Sequence, residues 1–303
     1  MNMSVCAWDG VVTEKRLEKW LNNFDGSALG SADAEQVLAA WLLMNFTFYR
    51  EDEIKELCKV VHRQYISMQL DGCFVKTNKR REFIDRIISR TLFLPLGNPS
   101  ESGAHLLYYY RTANNLPKNL FDDQDIEKSI QNKSIDNIVL FDDIMITGEQ
   151  VKNYTKRFKK LNCKKTLSLF FATQDAADRM ASINDDISIN CANVLDNRSR
   201  LFSRESFAFS NDSSRELKPL VEKMCMYYGN KLVKEENNRD LEYMSKYPLG
   251  FGDSQLTLGF NYNVPDNTLP IFWWETTSWY PILKRNTKKT TIENREVIDE
   301  QYW

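Results

Sequence analysis

The chain has 303 residues, of which 42% are hydrophobic and 27% are charged, and its formal net charge is -2. This composition excludes a disordered or fibrous protein, and it allows one large hydrophobic core or two smaller ones. The small net charge also excludes a protein that coats nucleic acid by bulk charge. The first residues lack the pattern of a signal peptide, and no apolar run approaches the roughly 18 residues of a membrane helix. We therefore expect a cytoplasmic protein that does not span a membrane.

The cysteine and histidine content argues against two kinds of site. The six cysteines are scattered without a CxxC pair, so neither a zinc site nor a disulfide framework is indicated. The two histidines, His62 and His105, are far apart in the sequence and leave little material for a Ser-His-Asp or Cys-His mechanism. We expect the chemistry to rest on carboxylates, hydroxyls and backbone amides.

Residues 1–90 are predicted to form an N-terminal helical layer. Apolar residues recur at every third or fourth position in the segments 17–21, 37–44 and 54–68. A further helix is predicted from Thr77 to Arg90, and it carries five basic residues. These basic residues indicate a solvated face, with a surface that contacts a nucleoprotein partner as the alternative.

Residues 91–212 are predicted to form an α/β core. Short apolar strands are predicted at 91–96, 138–141, 167–172 and 187–195, and helices at 104–111, 124–131, from 149 onward and at 174–183. Strands that are continuously apolar and alternate with helices are typical of a mostly parallel sheet with helices on both faces.

Residues 213–303 are predicted to complete the same domain. A helix is expected from Ser214 to Tyr228, capped by Asp212 or Ser213. Alternating residues predict a strand from Leu256 to Tyr262, and a tryptophan-rich segment after it predicts an aromatic C-terminal hood.

The segment 137–150, NIVLFDDIMITGEQ, contains the strongest candidate site. Asp142 and Asp143 are predicted to end a buried strand, at the sheet edge where open parallel sheets bind ligands. The following loop leads to a helix N-terminus, where backbone N–H groups and the helix dipole favour an anion. An acidic pair beside an anion-binding loop indicates a phosphorylated sugar. The alternative is a strand end at which one aspartate caps the next helix, but a cap needs only one carboxylate.

This segment resembles the phosphoribosyl-pyrophosphate motif of the phosphoribosyltransferase superfamily. The resemblance implies that Asp142 and Asp143 hold the ribose 2′- and 3′-hydroxyls. It also implies that the following loop holds the 5′-phosphate, through Ile146, Thr147, Gly148, Glu149 and Gln150. The loop departs from the family pattern because Ile146 replaces a hydroxyl residue and Gln150 replaces the usual final threonine.

The segment TLFLPLGNPSESG corresponds to the family's first strand and pyrophosphate loop. The matching loop positions are Ser100, Glu101, Ser102 and Gly103. Glu101 is the candidate general base, and a solvated loop carboxylate is the alternative. Between the two loops, well-studied phosphoribosyltransferases carry a flexible hairpin, whereas residues 112–136 of this chain indicate a polar connection with a helix.

The C-terminal part extends the resemblance. LGFGD (residues 249–253) and NVPDNTLPIFWW (residues 263–274) are similar to the end of a bacterial phosphoribosyltransferase-like family of conflict and anti-phage systems. Some of its members are encoded beside retron reverse transcriptases. Trp273 and Trp274 are candidates for stacking on a nucleobase, and a core plug that pins the C-terminal segment is the alternative.

Two functions remain open from the sequence. The first is an anti-phage effector that binds a phosphoribosyl or nucleotide ligand and acts at ribose C1, by transfer or by cleavage of an N-glycosidic or pyrophosphate bond. In that case Mg²⁺ is expected on the pyrophosphate, bound through the ligand more than through the protein. The second is a non-catalytic sensor or scaffold in a nucleoprotein defence complex, with a reverse transcriptase, its msDNA or another defence protein as partner. The phosphate loop of this chain has fewer hydroxyl side chains than the family's loop, and this favours the second function. The acidic pair fits both functions.

Overall fold

The structure is a computed structural model that describes residues 7–71, 77–96, 102–122, 125–132, 134–146, 161–183, 187–235 and 246–285. The helices are α1 Glu14–Leu21, α2 Ala32–Met44, α3 Glu51–Leu70, α4 Arg80–Ser89, α5 Ser102–Ala113, α6 Ile126–Gln131, α7 Gln174–Ile183, α8 Asp212–Glu235 and α9 Pro270–Trp273. The strands are β1 Thr47–Tyr49, β2 Thr91–Pro95, β3 Asn137–Met145, β4 Lys164–Thr173, β5 Ile187–Leu195 and β6 Leu258–Phe260. Within these ranges, no helix combines the length and hydropathy that crossing a bilayer requires.

The central sheet has the strand order β2-β3-β4-β5, and all its pairs are parallel. Strands β3 and β4 are buried over nearly their whole length, as expected for strands covered on both faces. One face packs against α3 and α5, where Val61, Tyr65 and Tyr110 are buried. The other face contacts α6 and α7, with Ile130 and Ala176 in its core. The predicted α/β fold class, a parallel sheet with helices on both faces, is therefore confirmed.

A second, smaller sheet joins distant parts of the chain. Strand β1 pairs in parallel with β6, with Thr47 opposite Leu258 and Tyr49 opposite Phe260. The ring of Tyr49 lies 5.1 Å from that of Phe171 on β4, measured between centroids. This pairing places the residues that follow β6 beside the central sheet.

The N-terminal helices and the C-terminal segment share one hydrophobic core. The Trp20 indole donates a hydrogen bond to the carbonyl of Ile271 (2.8 Å), and its ring stacks on Phe272 at 5.7 Å. The side chain of Asn23 makes two hydrogen bonds with the backbone of Tyr280 (2.8 and 3.0 Å). These contacts fix the position of the C-terminal segment.

A buried carboxylate ties this core together. Oε1 of Glu35 accepts hydrogen bonds from the backbone N–H groups of Ala28 (2.8 Å) and Leu29 (2.7 Å). Oε2 accepts from the N–H of Gly26 (2.9 Å) and from the hydroxyl of Tyr228 on α8. Because four donors converge on it, this fully buried side chain is hydrogen-bonded as buried charges must be.

Helix α8 differs from its prediction at both ends. It begins at Asp212, so neither Asp212 nor Ser213 can be the cap, and Asn211 takes that role by accepting the N–H of Ser214 at 2.7 Å. The helix continues to Glu235 because Tyr228 and Leu232 are buried in the shared core.

Candidate functional site

The acidic pair lies inside strand β3 rather than at its end. The strand continues to Met145, and Asp142 lies opposite Leu169 of β4. Pairing resumes with Ile144 opposite Phe171, so the strand end predicted at Asp143 is wrong by two residues. The residue exposures of 8% for Asp142 and 6% for Asp143 show that both side chains are buried.

Around Asp143, the side chains of β3 stop alternating regularly between the two faces of the sheet. Val139 and Phe141 lie in the cluster on the α3 side of the sheet, so regular alternation would place Met145 there too. Met145 instead lies in the opposite cluster, and Ile144 packs on the α3 side. The backbone N–H of Asp143 donates to Oδ1 of Asp142 at 2.9 Å. The pair therefore occupies a local irregularity of β3.

A tyrosine from the C-terminal segment covers Asp143. The hydroxyl of Tyr262 lies 3.4 Å from Oδ2 of Asp143, which makes a long hydrogen bond. Its ring stacks on Phe260 (5.4 Å between centroids) and contacts Tyr109 of α5 at 6.0 Å. The segment after β6 thus closes over the carboxylate on the α5 side of the sheet.

Burial raises the pKa of Asp143 to about 6 from its usual value of 3.8. The backbone N–H of Ile144 opposes this rise, and the nearby carboxylate of Asp266 adds to it. The guanidinium of Arg285 and the hydroxyl of Tyr262 lower the pKa again. The carboxyl therefore ionises near neutral pH, in a site where protein groups of both charges act on it.

Arg285 and Asp266 form an ion pair beside this site. Nη2 of Arg285 lies 3.7 Å from Oδ2 of Asp266. The guanidinium lies over the ring of Trp273, with its carbon 4.9 Å from the ring centroid. Nη1 of Arg285 is buried and has no hydrogen-bond partner among the described residues. The pair thus brings a cation with unused donor capacity to the site.

Gly103 places helix α5 against the end of β2 and the middle of β3. A Cβ atom on Gly103 would lie 2.9 Å from Cβ of Pro95 and 3.3 Å from the carbonyl oxygen of Leu96. The carbonyl of Phe141, one residue before the acidic pair, would be 3.5 Å away. Only glycine lets α5 begin this close to the strands. Ser102 is the first residue of α5, while Ser100 and Glu101 lie outside the described residues.

The phosphate loop is described only at its start. The carbonyl of Ile146 accepts a hydrogen bond from the hydroxyl of Thr173 at the end of β4 (2.9 Å), which holds the chain as it leaves β3. The remaining predicted ligands of the phosphate, Thr147, Gly148, Glu149 and Gln150, lie outside the described residues, as does the helix expected from 149 onward.

Trp273 and Trp274 lie in the core rather than at an open wall. They are 2% and 1% exposed, and their rings stack at 5.0 Å. Nε1 of Trp273 donates to the carbonyl of Thr268 at 2.9 Å. Because both rings are enclosed by protein, the structure favours the core-plug interpretation over stacking on a nucleobase.

The comparison with known protein families shows which family the chain belongs to. The pattern that defines the PRTase-CE family matches residues 17–285, which is most of the chain. The chain belongs to the PRTase-CE family. It is therefore a phosphoribosyltransferase-like protein, as the motif in β3 indicated. No curated protein and no solved structure matches the sequence.

Three residues that act on Asp143 are not among the site residues predicted from the sequence: Tyr262, Asp266 and Arg285. All three lie within the PRTase-CE match, which ends at Arg285. Tyr262 was predicted only as part of a strand, which in the structure ends at Phe260. Asp266 lies in the segment NVPDNTLP, which resembles the family, and this resemblance could have marked Asp266 as a candidate. No periodicity or spacing marks Arg285.

Proposed function

We propose that the chain binds a 5-phosphoribosyl compound at Asp142 and Asp143 and acts at ribose C1 as an effector of a bacterial anti-phage system. The observation that carries this proposal is the buried acidic pair of β3. The sequence that follows the pair, IMITGEQ, resembles the phosphate-binding loop of phosphoribosyltransferases. Two carboxylates accept hydrogen bonds from the ribose 2′- and 3′-hydroxyls, and such charge-assisted bonds are strong in a site shielded from water. The defence role rests on the resemblance of residues 249–274 to the family of conflict systems.

The reaction breaks the bond from C1 to a diphosphate or a base. The leaving group takes the electron pair, and water or an acceptor nitrogen forms the new bond to C1. Positive charge develops on C1 and the ring oxygen, as in glycoside hydrolysis. The carboxylates of Asp142 and Asp143 stabilise this charge more effectively because they are buried. Glu101 is the candidate base for the incoming group.

Magnesium fits this donor chemistry, because Mg²⁺ prefers carboxylate and phosphate oxygens. Within the described ranges, no group of three or more His, Cys, Asp or Glu residues is placed to hold a metal. The ion is expected on the ligand's diphosphate, bound through the ligand more than through the protein, where it offsets the charge of the leaving group. Asp142 and Asp143 remain the residues that orient the sugar.

A non-catalytic sensor or scaffold is the second candidate. Two observations favour it: Ile146 stands where the family has a hydroxyl residue, and Tyr262 covers Asp143. A reverse transcriptase, its msDNA or another defence protein would be the partner. Helix α4, which carries Arg81 and has no buried residue, is the described surface that would meet it.

The test is thermal unfolding with phosphoribosyl pyrophosphate, ribose 5-phosphate and common nucleotides, with and without Mg²⁺, followed by chromatography of each ligand. We expect stabilisation of the wild type that is lost in Asp143→Asn. Asp253→Asn, a surface carboxylate paired with Arg200, serves as the matched control. A consumed ligand identifies an enzyme, and a ligand that is bound but recovered intact favours the sensor or scaffold. Equal stabilisation of wild type and Asp143→Asn would refute the site.

A further inference from the structure

We propose that Arg285 binds a phosphate oxygen of the phosphoribosyl ligand. This assignment rests on the proposed function and adds a cationic residue to it, supplied by the C-terminal segment rather than by either predicted loop. Four features of the structure lead to it.

The first feature is unused hydrogen-bonding capacity. Nη1 of Arg285 is buried without a partner among the described residues. Nη2 lies 3.7 Å from Asp266, beyond the roughly 2.7–2.9 Å of a strong charge-assisted hydrogen bond. Buried donors in native proteins are nearly always satisfied, so an unsatisfied one needs an explanation. A bound oxyanion provides that explanation.

The second feature is a fixed orientation. The guanidinium stacks over Trp273, and that indole is held in place by its hydrogen bond to Thr268. The side chain of Arg285 is only 19% exposed. A cation held in this way loses little conformational freedom when it binds a ligand.

The third feature is proximity to the acidic pair. The charge of Arg285 acts on Asp143, and Asp266 and Tyr262 of the same C-terminal segment act on it as well. The hydroxyl of Tyr262 lies 3.4 Å from Oδ2 of Asp143, so this segment lies beside the carboxylate that would hold the sugar. A phosphate attached to that sugar comes within reach of the guanidinium.

The fourth feature is charge balance. Asp142, Asp143 and Asp266 are carboxylates in one region, and they repel a phosphorylated ligand. Such a ligand therefore needs a cation near the acidic pair. A guanidinium is suited to this role because its planar fork matches two phosphate oxygens at once.

The experiment measures the affinity of phosphoribosyl pyrophosphate and of ribose 5-phosphate by calorimetry, for wild type, Arg285→Gln and Arg285→Lys. Lys284→Gln is the matched control, because Lys284 is the chain neighbour and its exposed ammonium faces Glu275 at 3.6 Å. We expect Arg285→Gln to weaken binding about 10-fold or more, Arg285→Lys to weaken it less, and Lys284→Gln to leave it unchanged. Thermal unfolding without ligand establishes that each variant is folded.

The two ligands distinguish the sources of the phosphate. A loss confined to phosphoribosyl pyrophosphate assigns Arg285 to the diphosphate, and a loss with both ligands assigns it to the 5′-phosphate. If wild type binds and folded Arg285→Gln binds equally well, the assignment is wrong while the proposed function stands. If wild type binds neither ligand, the proposed function is wrong and the assignment falls with it.

Discussion

Asp143 carries a charge that its surroundings oppose. Its side chain is buried in β3, Asp266 adds a second negative charge, and the compensation comes from Ile144, Arg285 and Tyr262. The acidic pair was predictable from the sequence because Asp142 and Asp143 are adjacent in the chain, so their proximity does not depend on the fold. Tyr262 is 119 residues away from Asp143, and no local pattern predicts a contact at that separation.

The raised pKa of Asp143 predicts a pH-dependent stability. The folded state binds the carboxyl proton more tightly than the unfolded chain, since the pKa is about 6 when folded against 3.8. This contribution is fully present below about pH 4 and is lost as the pH rises through 6. The Asp143→Asn variant has no carboxyl at this position to ionise. Between pH 4 and 7, its free energy of unfolding should therefore rise by up to about 3 kcal/mol relative to that of wild type.

Urea denaturation at pH values from 4 to 8 measures this difference, with Asp253→Asn as the control. Asp253 pairs with Arg200 at the surface, and its substitution should leave the pH profile of the wild type unchanged in this range. A difference between wild type and Asp143→Asn that does not vary with pH would show that Asp143 is not in a charge-opposing site.

At the scale of the elements, the types of the described strands and helices were predictable, whereas the ends of several were not. Helix α7 and strand β5 match their predicted bounds, because hydrophobic patterning sets both elements. Strand β3 runs to Met145 because β4 continues to pair with it, and α8 runs to Glu235 because its last turns pack into the shared core. Tertiary contacts of this kind decide where elements end.

Gly103 provides a test of how α5 is placed. Gly103→Ala puts a Cβ atom 2.9 Å from Cβ of Pro95, so α5 must shift away from the end of β2 and from β3. We expect a loss of about 1–3 kcal/mol in the free energy of unfolding, together with weaker ligand binding. Thr112→Ala, at the exposed end of the same helix, should stay within about 0.5 kcal/mol of wild type. A Gly103→Ala variant as stable as wild type would show that α5 does not begin against the strands.

At the scale of the whole molecule, the two ends of the chain support the site together. The sequence predicted an N-terminal layer (1–90) and a C-terminal hood (213–303), and in the structure both contribute to one core. Sequence patterns showed that each segment had apolar residues to bury but not which partner would cover them. The Glu35 cluster and the pairing of β1 with β6 supply that information.

The Glu35 cluster predicts a large effect from a small change. Glu35→Gln removes the charge and places an amide N–H group against backbone N–H or hydroxyl donors. We expect the free energy of unfolding to fall by about 2–4 kcal/mol. Asp33→Asn, an exposed first-turn carboxylate of the same helix, should cost less than about 1 kcal/mol. Chemical denaturation compares the two, and equal effects would contradict a specific role for the cluster.

The central claim is that Asp142 and Asp143 hold the ribose hydroxyls. Calorimetry of ribose 5-phosphate and 2-deoxyribose 5-phosphate, on wild type and on Asp142→Asn/Asp143→Asn, tests it most directly. A hydrogen bond to a carboxylate contributes about 1.5–3 kcal/mol, so wild type should bind the deoxy sugar about 10- to 100-fold more weakly. The ratio should approach one in the double variant. The same ratio in both proteins, or no binding of ribose 5-phosphate by wild type, would contradict the claim.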